Sequence, residues 1–138
     1  MLKKNGYTAD TAGISFYPSA PSMQLDVMVL FKKTVKENNN RCKVFVFIAE
    51  FSYPSGGMSG AFAGWNKKVK GYSHNEEGQT SICKDVLNWG KDHWVIDIRY
   101  WAADYEDWGS MGLFKFENKH GCSRREGGSR IFANFIKN

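Results

Sequence analysis

The stretch that most restricts what this chain can fold into runs from Asp92 to His120, DHWVIDIRYWAADYEDWGSMGLFKFENKH. Its first half alternates. Trp94, Ile96, Ile98, Tyr100 and Ala102 fall on one face at period two, while Asp97, Arg99 and Trp101 fall on the other, the pattern of a half-buried strand. After the acidic cluster Asp104, Glu106 and Asp107 comes Trp108-Gly109, and a second aromatic run, Leu113 to Glu117, follows directly. This reads as a hairpin with the three-residue loop Asp107-Trp108-Gly109, in which Gly109 supplies the left-handed conformation that such loops require. The register then sets Tyr100 opposite Phe116, Ala102 opposite Phe114, Arg99 opposite Glu117 and Asp97 opposite Lys119: one packed aromatic face and one face of cross-strand ion pairs.

The remaining segments are read against that hairpin. Residues 1–22, with Gly6, Gly13, Pro18 and Pro21, predict an edge strand or an extended N-terminal arm, since proline cannot donate to a central ladder. Met23, Leu25, Val27, Val29 and Phe31 alternate as a strand, and Glu37 to Arg41 form a turn. From Val44 to Ala49 both faces are apolar, which predicts the central strand. Ser59 to Trp65 fits either a loop or a short helix. Thr80 or Ser81 caps a helix through Trp89, with Ile82, Val86 and Leu87 inward and Gly90 ending it. Ser129 to Lys137 closes the chain: Ile131, Phe132, Phe135 and Ile136 fit a helix capped by Ser129, while the alternation Ile131-Ala133-Phe135 fits a strand, which is the reading preferred. The expected fold is mainly β, with α+β as the alternative: an antiparallel curved sheet or sandwich built from hairpins, with one or two short helices.

Length and composition set the class. A chain of 138 residues, 42% hydrophobic and 15% aromatic, is expected to form a single domain with its own core. The formal charge is +5, and it is unevenly placed: six acids against two bases from Asp85 to Trp108, then six bases against two acids from Lys115 to Asn138. Cys42, Cys83 and Cys122 are widely separated and predict buried thiols rather than a disulfide framework or a metal knuckle. No cofactor or metal centre is expected. With no apolar leader and no run approaching about 18 apolar residues, the chain is expected to be cytoplasmic and to engage no membrane.

Candidate chemistry is sparse. Asp104 or Asp107 upstream of Glu117-Asn118-Lys119 gives the acid-then-Glu-x-Lys order with which metal-dependent nucleases hold a hard cation and position water, although the hairpin register assigns these residues to ion pairs. His74 with Glu76 or Glu77, and Arg124 or Arg125 for a phosphate, gives a ribonuclease-like alternative. The glycine-rich Ser55 to Ala61 lacks the spacing of a nucleophile turn, and no Lys-Ser/Thr follows to make it a phosphate loop.

Binding features are richer. Lys67, Lys68, Lys70, Lys119, Arg124, Arg125 and Arg130 lie near Trp65, Tyr72, Phe114 and Phe116, the mixture that single-stranded nucleic acid binders use. Trp101 on the polar hairpin face and Trp108 among Asp104, Glu106 and Asp107 at its tip read as a protein-contact hot spot or a sugar-stacking platform. The sequence therefore points to a small non-enzymatic protein that binds a macromolecular partner, a protein first and a nucleic acid second, with a nuclease as the enzymatic alternative.

Overall fold

A computed structural model describes residues 6, 9–23, 26–101, 103–118 and 121–124. The core of the fold is a three-stranded parallel sheet in the order β1 (Thr11–Phe16), β2 (Phe45–Phe51), β3 (Val95–Tyr100), with both neighbouring pairs parallel. Helix α1 (Val27–Cys42) crosses from β1 to β2, and α2 (Glu76–Lys91) crosses from β2 to β3. Because the strands follow one another in sequence, crossovers of one hand bring both helices to the same face. One contiguous core results: Phe31 and Val35 of α1 and Ile82, Val86 and Leu87 of α2 pack with Val46, Ile48, Val95 and Ile98 of the sheet. A separate antiparallel pair, β4 (Phe114–Asn118) and β5 (Gly121–Arg124), follows a 3₁₀ segment at Glu106–Met111.

The expected antiparallel sheet or sandwich is thus replaced by parallel α/β. The segment read as a strand from Met23 is the clearest reversal. Gln24 and Leu25 lie outside the described residues, and from Val27 onward the chain is helical. Its buried residues are Val27, Phe31 and Val35, spaced by four, whereas Val29 is 65% exposed. The helix ends at Lys43, which takes the left-handed conformation and donates its N–H to the Asn39 carbonyl, 2.8 Å.

The hairpin from Asp92 to His120 is also overturned. Its first arm is the strand β3, but β3 pairs parallel with β2, and β4 pairs with β5 instead. The expected register of Tyr100 with Phe116 and Arg99 with Glu117 does not form; Phe116 faces Cys122 across β4 and β5, and Arg99 bonds Asp97 two residues away, 3.0 Å. Ala102, Lys119 and His120, and the expected closing strand at Ser129 to Lys137, lie outside the described residues. Helix α2 starts earlier than expected: Asn75, not Thr80 or Ser81, is the cap, its side chain accepting the Gly78 N–H at 2.7 Å. Ile82, Val86 and Leu87 do face inward. Cys83 is buried as expected, and Cys42 is exposed.

A polar clamp holds the carboxyl ends of β2 and β3 together. Gln79, fully buried on the first turns of α2, donates through Nε2 to the Tyr53 carbonyl at 2.7 Å and to the Tyr100 hydroxyl at 3.0 Å, with the Gly112 carbonyl at 3.3 Å. The Tyr100 hydroxyl in turn donates to the Met111 carbonyl at 2.6 Å. One amide therefore ties the exit of β2, the exit of β3 and the segment before β4. Gly78 lets this turn of α2 approach, because a Cβ there would run into the Ser73 carbonyl.

Gln79→Ala is expected to lower unfolding free energy by about 2–4 kcal/mol, from the cavity and the orphaned buried acceptors, and Gly78→Ala by about 2 kcal/mol; urea melts measure both. Burial pushes the Tyr53 phenol up to about 12 and raises Tyr100 further in the same direction. The folded state holds these protons more tightly than the unfolded chain, so their contribution is complete below pH 10, the ordinary phenol value, and declines as pH climbs through the folded values. The urea midpoint should therefore fall between pH 10 and 12.

Candidate active site

All three strands run the same way, so their carboxyl ends and the segments that leave them share one edge of the sheet, where α/β folds collect their functional groups. At that edge stand Tyr17 just past β1, Glu50 near the end of β2 and Trp101 just past β3. A register shift selects which way Glu50 points. Ile14 pairs with Ile48, but the next residue, Ser15, pairs with Glu50, so Ala49 is the extra residue of a bulge. Without it, alternation would put Glu50 on the face of Val46 and Ile48, under the helices. With it, Glu50 joins Ser15 on the opposite face.

There the Tyr17 hydroxyl donates to Glu50 Oε2 at 2.9 Å. The Tyr17 phenol is raised well above its ordinary value, by burial first and then by this hydrogen bond and the carboxylate charge. The proton stays on the phenol, and the carboxylate is held from one side by a fixed donor. The ring of Tyr17 meets Trp65 edge-on at 5.2 Å and Trp108 at 6.4 Å, while Phe62 meets Trp108 at 4.3 Å and Trp65 at 5.8 Å. Backbone and hydroxyl contacts pin this aromatic cluster. Trp108 Nε1 donates to Ser52 Oγ at 3.3 Å, and both the N–H and the hydroxyl of Ser55 donate to the Ser110 carbonyl, at 2.8 and 2.9 Å. Trp101 remains 45% exposed at the same edge, its N–H donating to the Phe51 carbonyl at 2.9 Å. The arrangement is one oriented carboxylate beside aromatic rings on a rigid strand end.

The residues singled out in the sequence are distributed differently. Trp108, read as an exposed hairpin tip, is 6% exposed and forms part of this cluster's interior. Asp104 is exposed; Glu106 and Asp107 lie in the 3₁₀ segment. Lys67, Lys68 and Lys70 sit on the loop between β2 and α2, and Lys68 and Lys70 line an open cavity of about 1030 Å³ with Asp26, Tyr72 and His74. His74 turns its Nε2 to the Lys67 carbonyl at 3.2 Å and meets Tyr53 edge-on, and burial lowers its affinity for a proton. Glu117 lies on β4 and Arg124 on β5, whereas Lys119, Arg125 and Arg130 lie outside the described residues. Asp104 lies in the turn before the 3₁₀ segment and Asp107 within that segment, neither on a strand paired with that of Glu117, and the strand-pair geometry of the nuclease reading is absent. Among the described residues no group of three or more His, Cys, Asp or Glu side chains is placed to hold a metal ion, and no helix is long and apolar enough to cross a membrane.

Glu50 and Tyr17 are the residues that sequence reasoning missed. The available signal was a lone acid at the end of an otherwise apolar strand, followed directly by Phe-Ser-Tyr-Pro-Ser-Gly-Gly. An acid there must reach solvent or a polar partner, and the carboxyl end of a parallel strand is where functional groups collect.

No protein family's sequence pattern matches the chain, and no curated protein matches it. Solved structures do. A GH53 catalytic domain from Ignisphaera aggregans superposes with a TM-score of 0.64 at 23% identity, over 83% of this chain and 37% of that one. A structure from a study of two fungal beta-1,4-galactanases superposes with a TM-score of 0.59 at 19% identity, over 77% of this chain and 33% of that one. The chain thus spans about a third of the length of these neighbours. Their likeness is one of fold, and it agrees with a parallel α/β segment of a TIM barrel. It also corrects the expectation of a small non-enzymatic binding protein, with its nucleic-acid and nuclease alternatives: the folds that resemble this one are catalytic domains, and the exposed hairpin behind that expectation does not form.

Proposed function

We propose that this chain forms part of the catalytic edge of a glycoside hydrolase barrel acting on a β-linked glycan, with Glu50 as the anionic catalytic carboxylate. The observation that carries the reading is the bulge-directed Glu50, hydrogen bonded to Tyr17 at the carboxyl end of the central parallel strand. Glycoside hydrolysis uses a pair of carboxyl groups, one that donates a proton to the leaving oxygen and one that acts ionised, as nucleophile or as the base that activates water. A carboxylate that accepts a hydrogen bond from a phenol whose proton is firmly held suits the ionised role. Tyr17 orients Glu50 and stays clear of the proton transfer itself. Exposed Trp101 offers a flat apolar surface against which the C–H face of a sugar ring packs. The resemblance to galactanase domains makes β-1,4-galactan the first substrate to test.

Since the chain spans about a third of its neighbours, the test uses a chimera in which it replaces the matching third of the Ignisphaera aggregans domain. The chimera should release reducing ends from β-1,4-galactan. Glu50→Gln should lower kcat by about 10³-fold or more, and Tyr17→Phe by about 10²-fold, with circular dichroism unchanged in both. A Glu50→Gln chimera as active as its parent would defeat the assignment, and so would a folded parent with no activity on the glycan.

A further inference from the structure

Glu50 has a charged neighbour on the next strand. Ile48 pairs with Ile98 and Phe51 with Tyr100, so the single residue Arg99 stands opposite both Ala49 and Glu50. Ile98 packs under the helices, and alternation turns Asp97 and Arg99 to the other face, the one to which the bulge turns Glu50. Phe47, which pairs with Asp97, lays its ring on that face over Gly13, where any Cβ would collide with it. The Arg99 guanidinium is held from two sides. Its Nε donates to Asp97 Oδ2 at 3.0 Å, and its central carbon lies 5.7 Å from the centre of the Phe47 ring. Yet the Arg99 side chain is 70% exposed, and its two Nη groups carry no bond to a described residue.

An exposed ion pair between residues two apart contributes little to stability. Its effect is orientation: with Nε bonded and the guanidinium over a ring, the Nη donors are pre-organised for a ligand beside Glu50, which then bears little of the cost of ordering them. Charge decides which ligand. On this face the strands carry Glu50 and Asp97 against Arg99, two acids and one base, and the Tyr17 phenol beside them keeps its proton. The balance is one negative charge. A uronate or a sulfated sugar brings a further negative charge to it, whereas the hydroxyl oxygens of a neutral sugar accept from the guanidinium without that repulsion.

Resting on the reading of Glu50 as the carboxylate of a glycan site, we propose that Arg99, positioned by Asp97, hydrogen bonds the hydroxyls of the sugar lying against Glu50, and that the pair selects neutral sugars over acidic ones. Trp101, two residues further along the chain, supplies the apolar surface for the same ring. One strand end thus offers a stacking face and a fork of donors.

Equilibrium binding to the intact 138-residue chain tests this by NMR titration, with β-1,4-galactotetraose and the same oligosaccharide oxidised at C6 of its terminal galactose to the carboxylate as probes. The neutral sugar should bind about fivefold tighter than the acidic one and shift the Arg99 Nε–H resonance. Arg99→Met should weaken the neutral sugar by about fivefold, and Arg99→Lys, which keeps the charge but loses the fork, should not restore it. Asp97→Asn should weaken the neutral sugar by about threefold and bring the acidic one to within about twofold of it, since the face then carries no net charge. A merely structural pair would move neither the preference nor the resonance. Equal binding of the two sugars, an Arg99→Met chain that binds as its parent does, an unchanged preference in Asp97→Asn, or no binding of either sugar would each overturn the proposal. Circular dichroism verifies that each variant is folded, and if Arg99→Met is not, Arg99→Lys carries the same comparison. Binding is read without turnover, so failure here is distinct from failure of the catalytic assignment, which the activity of the Glu50→Gln chimera decides.

Discussion

Parallel pairing of β1, β2 and β3 is the constraint from which the rest of the structure follows. Parallel strands cannot be joined by tight turns, so the chain needs a crossover after each one, and α1 and α2 supply them. Sequential order puts both helices on one face, which determines the core. The same geometry delivers three strand ends to a single edge. Gln79 then makes that edge rigid: one buried amide bonds the exits of β2 and β3, and through the Tyr100 hydroxyl it holds the segment that carries Trp108.

The candidate site depends on a local departure from this regularity. A uniform β2 would direct Glu50 into the helix-covered core, where an ionised carboxylate is costly. The bulge at Ala49 turns it to the other face instead, within reach of Tyr17. Because both residues stand at strand ends rather than on free loops, their relative position is held by the sheet itself. The aromatic residues behind them, Trp65, Phe62 and Trp108, fill the space under the long β2 to α2 loop and keep Tyr17 from turning away.

Part of this was legible in the sequence. The unbroken apolar run from Val44 to Ala49 predicts the central strand, and β2 does lie between β1 and β3, although only the face of Val46 and Ile48 is fully buried and Phe45 is exposed. The inward face of α2 follows from Ile82, Val86 and Leu87. Two things misled. Met23 to Phe31 carries apolar residues at both period two and period four, and only tertiary packing of Phe31 against Phe16 and Trp89 decides for the helix. Alternation in β3 establishes a strand but says nothing of its partner. A neighbouring aromatic run suggested a hairpin, although the true partner, β2, lies more than 40 residues earlier in the chain. Glu50 was overlooked because its importance comes from direction and end position, and a one-residue bulge leaves little trace in composition.

The central claim is that Glu50 faces the reacting bond of a glycan lying across the carboxyl edge of the sheet. It is tested most directly by a crystal structure of the Glu50→Gln chimera with an intact β-1,4-linked galactose oligosaccharide. The account predicts a glycosidic carbon within van der Waals reach of the residue 50 side chain and a sugar ring against Trp101. An oligosaccharide bound elsewhere on the chimera, with the edge between Tyr17 and Trp101 empty, would contradict it.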